Sequence, residues 1–83
     1  MFEKTIMLKS IEAVKRFVDL ANTKEYDIEL MSGKYIVNAK SIMGVFSLDL
    51  TKPMVMVAHC DMVATLARQV EEFAVEPTTP NAN

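Results

Sequence analysis

The sequence predicts an α+β domain, an open-faced sandwich of two layers with the order β-α-β-β-α-β-α. Its four strands form an antiparallel sheet and its helices pack on one face. Three observations predict this. Stretches with strand composition alternate with stretches whose apolar residues recur at helical spacing. Capping and turn-forming residues stand at the junctions between them. The chain has 83 residues, 51% of them apolar, which is enough for one packed core without disulfides or metal.

Residues 2–8 (FEKTIML) have strand composition with imperfect alternation. Ser10 is placed to cap a helix that follows at once. Ile11, Val14, Val18 and Ala21 share one face of that helix, Phe17 widens the stripe, and Lys15, Arg16 and Asp19 lie toward the other face. The pattern fades at Asn22-Thr23. Residues 26–31 (YDIELM) alternate as a strand, Ser32-Gly33 signals a turn, and residues 34–38 (KYIVN) return as the second arm of a hairpin. Ser41 caps a short helix that runs to about Leu48. Thr51-Lys52-Pro53 breaks the pattern. Residues 53–59 (PMVMVAH), apolar except at their ends, read as a strand inside the sheet. Asp61 is expected to cap the last helix. Its buried stripe is Val63, Leu66, Ala67, Val70, Phe73 and Ala74, with Arg68, Gln69, Glu71 and Glu72 outside. The domain is therefore expected over residues 1–75. Residues 76–83 (EPTTPNAN) carry two prolines and no large apolar group, and are expected to be a disordered tail.

Composition excludes several functions. A net charge of −2 gives no concentrated positive face for nucleic acid. A single cysteine, Cys60, allows no internal disulfide and no thiolate metal cage. The N-terminal residues hold no long apolar run, so neither a signal peptide nor membrane insertion is expected. The expectation is a cytoplasmic, monomeric protein with no cofactor and no metal.

The most informative stretch is Ala39-Lys40-Ser41-Ile42-Met43-Gly44-Val45-Phe46-Ser47-Leu48-Asp49-Leu50. It resembles the regulatory-serine segment of HPr, the small histidine-containing phosphocarrier family of the bacterial phosphoenolpyruvate:sugar phosphotransferase system. Lys40 to Ser47 follow the motif, with Phe46 where methionine is common. Asp49 stands where a glycine is common. The β-α-β-β-α-β-α order is also that of the family, so the resemblance extends to about residue 75. It implies that Ser41 is a target of HPr kinase/phosphorylase. It also implies that Lys40, Ile42, Met43 and Phe46 belong to a docking face for proteins of the phosphotransferase system, among them enzyme I, the kinase or a transcriptional regulator. From spacing alone, Ser41 is a helix cap, and Met43 and Phe46 either complete the core or lie exposed on a helix too short to bury all its apolar residues. Phosphorylation of a capping serine places close to two negative charges at the positive end of the helix.

The chain departs from the family at the carrier site. A phosphocarrier needs an imidazole at a helix N-terminus, where backbone N–H groups hold the phosphoryl oxygens. Aligned on Ala21, Ser10 falls at the family's histidine, Glu12 at its arginine and Ala13 at its proline. The loop before the helix is shortened. Glu12 would repel a phosphoryl group, and Ser10 reads as a cap. His59 is the only histidine. It ends the fourth strand, which in the family's arrangement lies antiparallel beside the first, so the resemblance implies a place away from the first helix's N-terminus. His59-Cys60-Asp61 gives neither a metal site nor a Cys–His nucleophilic pair, because adjacent side chains at a strand end point apart.

Three readings remain open on the sequence. The first is a regulatory HPr-like protein, phosphorylated on Ser41, acting by binding and not as an enzyme. In keeping the serine and losing the histidine it is similar to the catabolite-repression HPr-like proteins. The second is an active phosphocarrier with an unidentified acceptor. The third is an HPr-fold binding module in which Ser41 only caps.

Overall fold

Four strands and three helices order residues 1–76, the residues described by the structure, a computed structural model. β1 (Phe2–Ile6) leads into α1 (Ile11–Asn22). β2 (Ile28–Ser32) and β3 (Tyr35–Asn38) form a hairpin, α2 (Ile42–Phe46) follows, and β4 (Met54–Ala58) precedes α3 (Ala64–Gln69). A single 3-10 turn (Val70–Phe73) continues α3. The expected tail concerns, beyond Glu76, residues outside those described.

The sheet order is β1-β4-β2-β3, antiparallel throughout. Met56 of β4 lies between Lys4 and Leu30, and Val37 flanks Leu30 in turn. Side chains alternate across a strand. One face therefore presents Ile6, Ile28, Leu30, Met54 and Met56, all buried under the helices. α1 meets them with Ala13, Val14, Phe17, Val18 and Ala21. Each fully buried aliphatic or aromatic side chain contributes about 2 kcal/mol relative to exposure. The other face is free of helices. Across it runs a row of Thr5, Val55, Met31 and Ile36, one from each strand.

The hairpin turn is the two-residue Gly33-Lys34. Gly33 has φ 59, and no other described residue has positive φ. A glycine in the first central position is the demand of a type II′ turn, whose twist suits the flanking strands. At the opposite edge, the chain after Phe73 returns to β1. Met7 N–H donates to the Phe73 carbonyl at 2.9 Å, Val75 N–H donates to the Thr5 carbonyl at 3.0 Å, and Ala74 bridges to Ile6. The 3-10 turn is pinned to α1 by an edge-to-face pair of Phe17 and Phe73, with ring centroids 5.6 Å apart. The Arg16 guanidinium lies over the Phe73 ring and pairs with Glu72.

Three expectations are corrected. Asp61 does not cap the last helix. That helix begins at Ala64, and Val63 at its entry has no side-chain cap bond. The Asp61 carboxylate instead accepts from the Met1 amine at 2.9 Å, which holds it outside the helix. Ile11 is exposed, not part of the buried stripe. It is the first residue of α1, at the border of the buried stripe. Ala67 and Ala74 are only half-buried, because the helix tightens to 3-10 geometry at Val70 and Ala74 is already extended. Among the described residues, no helix is long and apolar enough to cross a membrane.

Candidate functional site

The serine segment is built between the C-terminal end of α1 and the edge strand β3. Ser41 has extended backbone, φ −101 and ψ 111, as a helix N-cap requires. Its Oγ accepts from the Gly44 N–H at 3.1 Å, and its carbonyl accepts from the Val45 N–H at 3.0 Å. The residue is exposed. Gly44 stands where a side chain would crowd the cap. A Cβ there would lie 3.3 Å from Ser41 Oγ and 3.4 Å from Val37 Cβ, so glycine lets α2 sit close on β3 while keeping the cap.

Two reciprocal contacts clasp this segment to α1. Asn22 Nδ2 donates to the Lys40 carbonyl at 3.0 Å and to the Val18 carbonyl at 2.9 Å. Lys40 Nζ donates to the Lys24 carbonyl at 2.7 Å. The Lys40 ammonium therefore closes the turn after α1. To serve an anion beside Ser41 it would have to leave that bond. Neither Asn22 nor Lys24 stood out in the sequence, since both look like ordinary polar residues at a helix end.

On α2 and just after it, Val45 is fully buried and Leu48 nearly so, whereas Met43 is 79% exposed, Phe46 41% and Ile42 37%. Met43 and Phe46 therefore do not complete the core. Three of the five apolar residues of this segment lie outside, and together with Ser41 they form a surface of apolar side chains around one hydroxyl. Flexible Met and rigid Phe suit protein docking.

Ser10 caps α1, its Oγ accepting from the Ala13 N–H at 3.0 Å. Glu12 lies in the first turn. α1 is twelve residues long, so Ser10 lies about 18 Å along the helix from the clasp at Asn22. Ser10 and Ser41 are thus two separate caps and not one site. His59 lies at the far end of the sheet, just beyond the pair of Ala58 with Phe2. Its Nε2 is 2.9 Å from Glu29 Oε1, on the helix-free face. Cys60 turns elsewhere. Its Sγ approaches the Met62 carbonyl at 3.7 Å, and it lies near Tyr26, whose hydroxyl pKa is raised by burial and then by Cys60. Among the described residues no cluster of three metal-ligating side chains exists.

Neither a family model nor a curated protein matches the chain. Solved structures do. HPr-C-His from Thermoanaerobacter tengcongensis matches with a TM-score of 0.68 and 29% identity, covering 83% of this chain and 84% of that one. The chain has an HPr-like fold. A second HPr-like neighbour is the Bacillus subtilis catabolite-repression protein Crh, an intertwined dimer with a swapping domain. It matches with a TM-score of 0.60 and 27% identity over 86% of this chain and 88% of that one. The four-stranded antiparallel sheet with helices on one face is thus the HPr-like architecture expected from the residue pattern.

Proposed function

We propose that this HPr-like chain is a regulatory protein of the bacterial phosphotransferase system. It is phosphorylated on Ser41 and acts by binding other proteins, without enzymatic or carrier activity. The observation that carries this reading is the exposed Ser41 hydroxyl beside the exposed Ile42, Met43 and Phe46. A phosphate on Ser41 adds close to two negative charges next to an apolar docking surface. That changes which partner the surface accepts while leaving the fold intact. The partners are cytoplasmic: HPr kinase/phosphorylase, which would modify Ser41, and enzyme I or a transcriptional regulator, which would read the surface. Against carrier activity stands the residue at the start of α1, a serine beside Glu12. A serine phosphate is a low-energy ester, unsuited to onward transfer.

The test is the intact mass after incubation with HPr kinase/phosphorylase and ATP. One added phosphate, absent from Ser41→Ala, is expected. No addition to a folded sample by an active kinase would reduce the chain to a binding module. Acid-labile phosphate taken from phosphoenolpyruvate through enzyme I would instead establish a carrier.

A further inference from the structure

β3 is the outer strand of the sheet. Edge strands are usually blunted by a charge, a proline or a bulge. β3 reads YIVN, and its register with β2 is unbroken from Glu29↔Asn38 to Ser32↔Tyr35. The strand itself holds none of those devices, and Ser47, Leu48, Asp49 and Lys52 stand beside its Lys34 end around a shallow groove. Tyr35 is 72% exposed and Ile36 57%. In an antiparallel ladder, pairs that exchange hydrogen bonds alternate with pairs that do not. The Ala39 N–H bonds the Ile28 carbonyl at 2.9 Å, which sets the phase. Val37 bonds to β2, whereas Ile36 and Asn38 turn their backbone groups outward. The Asn38 carbonyl is taken by the Ser41 N–H. The Asn38 N–H and both backbone groups of Ile36 face away from the sheet.

Charge is divided between the two ends of this edge. At one end a shallow bay between β2 and β3 is lined by Asp27, Glu29, Ile36, Asn38 and His59, with Ile28 and Val37. Glu29 is bonded to His59, and Asp27 makes no ion pair among the described residues. At the other end stands Lys34, exposed and also without an ion pair among the described residues.

We propose that β3 pairs antiparallel with β3 of a second copy of this chain about a two-fold axis, each Lys34 entering the acidic bay of the other copy. Centred on Ile36 opposite Ile36, the pairing exchanges two backbone hydrogen bonds at its middle. It sets Lys34 opposite Asn38 of the second copy. Glu29 neighbours that Asn38 in its own sheet. Two strand spacings, about 10 Å between backbones, then separate Lys34 from Glu29, within the combined reach of the two side chains. Lys34 stands in the turn at one end of this edge, and Asn38, at the other, lies two residues from Ile36 and shares the helix-free face with it. Ile36 meets Ile36 there, joining the Thr5–Val55–Met31–Ile36 rows of the two sheets. A second copy is the occupant because both halves of the charge pattern are on this chain and in antiparallel order. This departs from the monomer expected from sequence.

Sedimentation equilibrium of the full chain, from micromolar to millimolar concentration, tests it. A monomer–dimer equilibrium is expected, weakened by salt because surface charges are screened. Ile36→Lys, a change at an exposed side chain, should abolish it. Lys34→Glu should weaken it several-fold, and Lys34→Glu with Glu29→Lys should restore most of it. Circular dichroism melts check that each variant stays folded. A monomer at every concentration overturns the proposal and leaves the edge to an extended peptide of another protein. So does a dimer that survives Ile36→Lys, which would place the contact on α2 or in an exchanged element. An association indifferent to Lys34→Glu overturns the register and the proposal with it.

Discussion

At the scale of single residues, Ser41 holds two roles in one hydroxyl. Its Oγ satisfies the Gly44 N–H, one of the donors that a helix leaves unpaired at its start. Ser41→Ala should therefore cost about 1 kcal/mol in urea denaturation and leave the domain folded at room temperature, which also validates it as the phosphorylation control. Asp49 is a second residue with a local task. It accepts from both the hydroxyl and the N–H of Thr51, and these bonds, with a smaller contribution from Lys52, hold its carboxyl below the usual range. A carboxyl depressed in the folded state adds stability above its unfolded pKa and loses it as pH falls through the folded value. Thr51→Val removes the hydroxyl bond, so the Asp49 titration midpoint, followed by NMR of the side-chain carboxyl, should move up toward that of an ordinary aspartate. Caps were legible wherever a serine stands directly before an apolar periodic run, as Ser10 and Ser41 do. Asp61 looked equivalent, but Met62 and Val63 follow it before any helical turn forms, and the Met1 amine draws its carboxylate away.

At the scale of elements, α2 is too short to hold itself. Five residues form fewer hydrogen bonds than their ordering requires, so tertiary contacts must fix them. Val45 and Leu48 supply burial, and the Asn22–Lys40 and Lys40–Lys24 bonds supply orientation. Asn22→Ala should release the clasp at a cost of about 1 kcal/mol. Amide exchange of Gly44 and Val45 should quicken while that of β2 and β4 holds. Equal acceleration across the sheet would show that the clasp is not specific to α2. The strands and α1 were legible because their period repeats several times. The clasp was not, because it joins residues 18 and 16 positions apart through two main-chain carbonyls, and carbonyls leave no trace in a sequence. The break of the last helix at Val70 was equally hidden, since Phe73 keeps helical spacing in both geometries while its ring is set by Phe17 and Arg16.

At the scale of the whole molecule, the HPr-like order β1-β4-β2-β3 makes β1 and β3 the two margins of the sheet. The residue pattern put the most apolar strand, β4, inside the sheet, and its place beside β1 came with the HPr resemblance. It said nothing of how the margins differ. The return of the chain past Phe73 lays Ala74 and Val75 along β1, with Val75 bonded to the Thr5 carbonyl. That covers one end of β1 with its own chain, while the outward groups of Ile36 in β3 have no such cover. A sheet with two open margins can add copies without end and grow into a fibre. Here the returning chain covers one end of β1, and a two-fold contact consumes β3 in both copies. Assembly through the edge is self-limiting: it closes at two, and the apolar row that invites a neighbour does not become the seed of a polymer.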